Sequence, residues 1–107
     1  MERRNSARLP FPVKVQETNG EYLYNWSALN LSEEGIFLSN KVCFSDQDPF
    51  SKVSFTLPNG QMLVNVTARV VREARRGTQP GCALEFLNLT EDQRLELKRF
   101  MIERAAS

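Results

Sequence analysis

Two short polar constellations carry most of the chemistry open to this chain: Arg3-Arg4-Asn5-Ser6-Ala7-Arg8, and farther on Asn30-Leu31-Ser32-Glu33-Glu34-Gly35. The planar guanidinium fork of arginine gives two parallel hydrogen bonds to guanine O6 and N7, stacks on aromatic rings and pairs with phosphate oxygens through charge-assisted bonds. Several arginines on one short arm could therefore hold a purine and the phosphate beside it. A basic terminus that is simply solvated is the competing reading. In the second constellation Asn and Ser commonly bond their own backbone at a turn. The same groups can serve a ligand. Asn30 and Ser32 lie two apart, so on a strand they project to one side while Leu31 enters the core. An amide and a hydroxyl there could bond a base edge or a ribose, and Gly35 lets another group approach the backbone closely. Arg69, Arg72 and Arg75 add positive charge that could reach further phosphates or remain solvated.

Other chemistries find little support. The chain of 107 residues has no histidine, and its two cysteines, Cys43 and Cys82, sit among apolar neighbours and read as small buried hydrophobes. No zinc site, nucleophile elbow, dinucleotide fingerprint or phosphate loop is legible. Glu33 and Glu34 read as solvated turn charges rather than a catalytic pair. No enzyme, metal or cofactor is expected. A formal net charge of +1 argues against a protein that coats a long nucleic acid, although the first fifteen residues carry Arg3, Arg4, Arg8 and Lys14 against Glu2 alone. The apolar runs are far shorter than the roughly 18 residues a membrane span needs, and the N-terminus has no apolar signal core. A cytoplasmic protein with no membrane insertion is expected.

The elements that must position these residues are mostly strands. Phe11, Val13 and Val15 alternate with polar residues, Asn19-Gly20 offers a hairpin turn, and Tyr22, Tyr24 and Trp26 continue beyond it. Residues 31–34 turn, and Gly35 to Ser39 start a third strand. Residues 40–50 read as a loop. Val53, Phe55 and Leu57 form a fourth strand, and Met62 to about Arg72 a long fifth, with Met62, Val64, Val66, Ala68 and Val70 expected on one face and Asn65, Thr67 and Arg69 on the other. Residues 73–81 read as a loop before a last strand with Cys82, Leu84 and Phe86. Thr90 and Gln93 have the spacing of a capping box ahead of a helix whose first turn holds Glu91 and Asp92. That helix groups Leu97, Phe100 and Met101 on one side and Leu95 and Ile102 on nearly the other, so a second apolar face is left either to fraying loops or to a partner.

Arg-x-x-x-Arg at Arg4 and Arg8 before the first strand, then Asn-x-Ser-x-x-Gly at Asn30, Ser32 and Gly35 after the second, resembles the PilZ domain. A late Gly-x-x-Leu-x-Phe strand at Gly81, Leu84 and Phe86 extends the resemblance over the whole chain. The resemblance implies a mainly β fold, a six-stranded antiparallel β-barrel with a C-terminal α-helix. One domain over residues 1–107 is expected: a flexible arm at 1–8, a barrel at 9–89 and a helix at 90–105. It further implies a receptor for cyclic di-GMP (c-di-GMP). Arg4 and Arg8 would contact guanine and phosphate, while Asn30, Ser32 and Gly35 cradle the other side. Arg3, directly before the first motif, fits an intercalated pair of nucleotides, two per chain. Binding would organise the arm and present a surface to an effector protein in motility or biofilm regulation, with a homodimer through the C-terminal helix and no DNA or RNA partner. Two readings compete. Small barrels of other families bind single-stranded nucleic acid on aromatic platforms, but here the Tyr22, Tyr24 and Trp26 rings lack flanking basic residues. A protein-interaction module that never meets a nucleotide is the other.

Overall fold

The computed structural model describes residues 6–42, 49–76 and 79–106, with the backbone alone at 6–8, 10, 11, 72–76, 79 and 104–106. Six strands, β1 (Ser6–Asn19), β2 (Tyr22–Ser32), β3 (Gly35–Ser39), β4 (Phe50–Thr56), β5 (Met62–Arg76) and β6 (Gln79–Phe86), precede one helix, α1 (Glu91–Ala106). Alternation builds the wall: Val13 and Val15 face inward while Lys14 and Gln16 face water. Gly20, at φ 63°, opens the Gly20–Glu21 turn between Asn19 and Tyr22, one residue later than the sequence suggests. The strands close into an antiparallel barrel in the order β1-β2-β3-β6-β5-β4, and β4 completes the ring by pairing Val15 with Phe55 and Thr18 with Lys52. Closure covers the edge that an open sheet would leave along residues 15–18 of β1. Leu97 and Phe100 of α1 join the same core as Leu31, Leu38, Leu63 and Leu84. The capping box forms as expected: Gln93 N–H donates to Thr90 Oγ1 at 3.0 Å and Thr90 N–H to Gln93 Oε1 at 3.0 Å.

The structure departs from the sequence expectation in several places. Val53 pairs with Val66 but Phe55 with Leu63, so β5 holds one extra residue there, and Asn65 takes a left-handed φ of 55°. This bulge changes the parity of the strand. Leu63 and Val66 both point inward, and Met62 and Val64, expected on the same face as Val66, are 67% and 50% exposed. Residues 73–76 and 79–81, expected in a loop, are paired strand, with Glu73 opposite Cys82 and Arg76 opposite Gln79. β1 begins at Ser6, so residues 6–8, expected in the arm, pair with β2. Cys82 is fully buried but disulfide-bonded, not a simple hydrophobe; Cys43 lies outside the described residues. Among the described residues no helix is long and apolar enough to cross a membrane.

A buried polar cluster closes one mouth of the barrel. Glu17 and Lys41 are 0% and 2% exposed and form an ion pair at 3.1 Å. Trp26 Nε1–H donates to Glu17 Oε1 at 2.8 Å, Ser51 Oγ–H to Glu17 Oε2 at 2.6 Å, and Asn19 Nδ2–H to Ser51 Oγ at 2.9 Å. The Lys41 ammonium lies 5.2 Å from the Trp26 ring centroid and 5.7 Å from that of Tyr24. Each charge is thus paired and hydrogen-bonded, as burial requires.

Candidate functional site

The backbone of residues 6–8, the end of the first constellation, meets the start of the second where β1, β2 and β3 come together, at the end of β3 opposite Lys41. Arg8 pairs directly with Asn30 across β1 and β2, Ala7 with Leu31 and Ser6 with Ser32. The second arginine of the first motif and the whole start of the second therefore share one stretch of ladder. A bulge between Ala28 and Asn30 resets the register against β3, where Asn30 pairs with Phe37. Arg3 and Arg4 lie outside the described residues.

Ser32 organises the turn that follows. Its hydroxyl oxygen accepts from Glu34 N–H at 3.1 Å and from Gly35 N–H at 3.2 Å, and the hydroxyl donates to the Gly35 carbonyl at 3.4 Å. This is the local bonding that serine favours at turns. Phe86 N–H, donating to the Glu34 carbonyl at 2.7 Å, ties the turn to β6. Gly35 is needed for a related reason: a Cβ there would overlap the Leu84 carbonyl oxygen and lie 3.2 Å from Glu85 Cα. Its bare backbone lets β3 approach β6 closely.

A groove of about 390 Å³ lies here, lined by Asn30, Ser32, Gly35, Phe37, Arg69 and Glu85 among others. Ladder register sets its far wall. Gly35 pairs with Glu85 and Glu85 with Arg69, so the three stand in one row across β3, β6 and β5. Arg69 Nη2 donates to Glu85 Oε1 at 2.5 Å, and the two side chains are 53% and 43% exposed. The groove thus has an amide and a hydroxyl at one rim and a cation–carboxylate pair at the other. Of the three arginines the sequence offers as extra phosphate contacts, Arg69 reaches the groove; the side chains of Arg72 and Arg75 are not described. Glu85 escaped the sequence reading. The alternation Leu84-Glu85-Phe86 was the available signal, since two inward apolar neighbours force Glu85 outward.

The aromatic residues are placed elsewhere. Tyr22, Tyr24 and Trp26 stack in series at 6.2 and 5.7 Å, and Trp26 and Tyr24 are engaged by Lys41 at the opposite mouth.

The PilZ domain profile matches residues 2–103. No curated protein sequence matches the chain. Among solved structures the chain is similar to the Bacillus subtilis inhibitor of motility, MotI/DgrA, with 20% identity and a TM-score of 0.76, over 99% of this chain and 53% of that one. It is similar to Escherichia coli YcgR in complex with c-di-GMP, at 19% identity and a TM-score of 0.72, over 99% and 48% of the two chains. The PilZ domain of YcgR with c-di-GMP gives 14% identity, a TM-score of 0.69 and coverage of 98% and 93%. The chain spans about half the length of the first two. At these identities the likeness shows the fold.

Proposed function

The chain belongs to the PilZ domain family, and from that premise we propose that it is a c-di-GMP receptor that passes the binding event to a protein partner without catalysing a reaction. The observation that carries the proposal is the ladder pairing of Arg8 with Asn30, since Asn30 lines the groove and the backbone of the first motif's second arginine runs beside it. One relative in fold, E. coli YcgR, is seen in complex with c-di-GMP both as a longer chain and as its PilZ domain, which supports the choice of ligand. In this reading Arg4 and Arg8 supply guanidinium forks for guanine O6/N7 and phosphate, and Asn30, Ser32 and Gly35 receive the opposite side of the nucleotide. Arg3, adjacent to Arg4, adds the charge that a stacked second nucleotide calls for, so two nucleotides bind per chain.

Ligand would order the arm against the barrel, and the changed surface would be what an effector reads. The outward face of α1, where Leu95 and Ile102 are 53% and 67% exposed, supports pairing of two copies through the helix. A cytoplasmic location belongs to the same reading; the disulfide at Cys82 pulls the other way, since reducing compartments keep thiols reduced.

Isothermal titration calorimetry with c-di-GMP tests the core of the proposal. Binding with an inflection at two nucleotides per chain is expected, and Arg4→Ala or Arg8→Ala should each weaken affinity by about 10- to 100-fold, the worth of a bidentate guanine contact. Wild-type affinity in both variants would refute the site, and an inflection at one would refute the stacked pair.

A further inference from the structure

Glu85 poses an electrostatic problem for any groove that receives an anion. Its carboxylate stands on the outer face of β6 between the bare backbone of Gly35 and the Arg69 guanidinium. A carboxylate facing an incoming phosphodiester is repelled, and in a partly desolvated groove that repulsion is stronger than in water. It becomes favourable only where the ligand turns hydrogen-bond donors toward it.

Guanine has such an edge. N1–H and the N2 amino group point the same way, side by side, and match the two oxygens of one carboxylate. Adenine presents an acceptor at N1 on the corresponding edge, and cytosine presents one at N3, so neither can satisfy both oxygens. We infer that Glu85 reads the Watson–Crick edge of a guanine, with Arg69 as the positioning residue that holds the carboxylate in place. This inference rests on the c-di-GMP reading above and adds to it a residue that sets base specificity.

The geometry supports the division of labour. Arg69 donates from Nη2 to Oε1 alone, which leaves Oε2 and a second lone pair on Oε1 for the base. Gly35 puts no side chain between Glu85 and the polar rim at Ser32, so a flat base can lie across the row. The O6/N7 edge of the same guanine stays free for arginine, because it is a different edge from the one Glu85 takes. Glu34 also rims the groove, but from the turn, where no cation fixes its carboxylate among the described residues. The groove volume of about 390 Å³ lies in the usual range for small-molecule sites.

The test is calorimetry of wild type and Glu85→Gln with three probes: c-di-GMP, cyclic di-AMP and cyclic di-IMP, whose hypoxanthine bases lack the N2 amino group. Removing a carboxylate eases binding of every dianion alike, so ratios of affinities are the readout. Wild type should prefer c-di-GMP to both analogues, and Glu85→Gln should shrink the preference over cyclic di-AMP by about 10- to 100-fold and abolish the preference over cyclic di-IMP. Arg69→Gln, which frees the carboxylate without removing it, should shrink both preferences less. Thermal melts establish that each variant is folded. Unchanged ratios in a folded Glu85→Gln protein that still binds c-di-GMP overturn the inference and leave the receptor reading standing. Failure of wild type to bind c-di-GMP overturns both.

Discussion

The Ser32 hydroxyl already accepts two backbone N–H groups of its own turn, and Gly35 lies where a Cβ would meet the Leu84 carbonyl oxygen. Both motif residues therefore shape the site before any ligand arrives, and a substitution there reports on fold and binding together. Gly35→Ala separates the two contributions poorly but has a clear sign. The obstacle is backbone rather than the end of a flexible side chain, so β3 and β6 must part or shift, at a cost of about 1–3 kcal/mol. The expected result is a fall in Tm of at least about 4 °C together with weaker nucleotide binding, measured by calorimetric scanning and titration. An unchanged Tm would mean that the strands yield more easily than this packing suggests. Arg8 differs from these two, since its place in the ladder opposite Asn30 depends on backbone pairing that any residue could make. Loss of its side chain should register in affinity alone.

At the scale of elements, the Glu17–Lys41 cluster clamps β1, β2 and β4 to the segment that leaves β3, through Trp26 and Ser51. Removing one charge of a buried pair leaves the other uncompensated, so Lys41→Met should destabilise by about 3–5 kcal/mol, a large share of the roughly 5–15 kcal/mol total usual for a domain. Glu17→Gln combined with Lys41→Met should recover part of that loss in urea denaturation. The amide can still accept from Trp26 Nε1–H and donate to Ser51, and no net charge stays buried. A double variant as unstable as Lys41→Met alone would show that hydrogen bonds rather than charge hold the cluster. The sequence disclosed neither partner of this pair, because Glu17 continues the polar-looking end of a strand and Lys41 sits in what reads as a loop. Alternation did disclose β1, β2 and β4 and the capping box did disclose α1, since period-two patterns and Thr90–Gln93 spacing are local signals. The bulge at Asn65 was not legible: one left-handed residue turned Met62 and Val64 outward, and a bulge depends on the partner strand as much as on its own residues. The groove was half legible. Asn30, Ser32 and Gly35 form a local pattern, whereas Glu85 and Arg69 join them only through register across three strands.

For the whole molecule, the proposed switch must connect a nucleotide at the β1–β2–β3 junction to a surface that another protein can read. Residues 6–8 already belong to β1, so the proposed ordering concerns the residues before them, Arg3 and Arg4 among these. A ligand that brings phosphates and guanines to several arginines at once supplies interactions that can offset the entropy of ordering them. The helix offers the second surface: Leu97 and Phe100 are committed to the core, while Leu95 and Ile102 face outward one heptad apart. Pairing along that stripe would bury both side chains and would be blocked by a charge at either position. Hydrogen exchange with and without saturating c-di-GMP, combined with sedimentation of wild type and Leu95→Glu/Ile102→Glu, examines both surfaces at once. New protection of residues 1–5 on binding is expected, along with a wild-type dimer that the double substitution converts to a monomer while nucleotide affinity stays the same. Equal exchange of the arm in both states would rule out arm ordering as the transmitted signal, and a monomeric wild type at all concentrations would remove the helix pairing. Since the groove and α1 do not share residues, either result can fail without the other, and the surviving one identifies which face an effector must recognise.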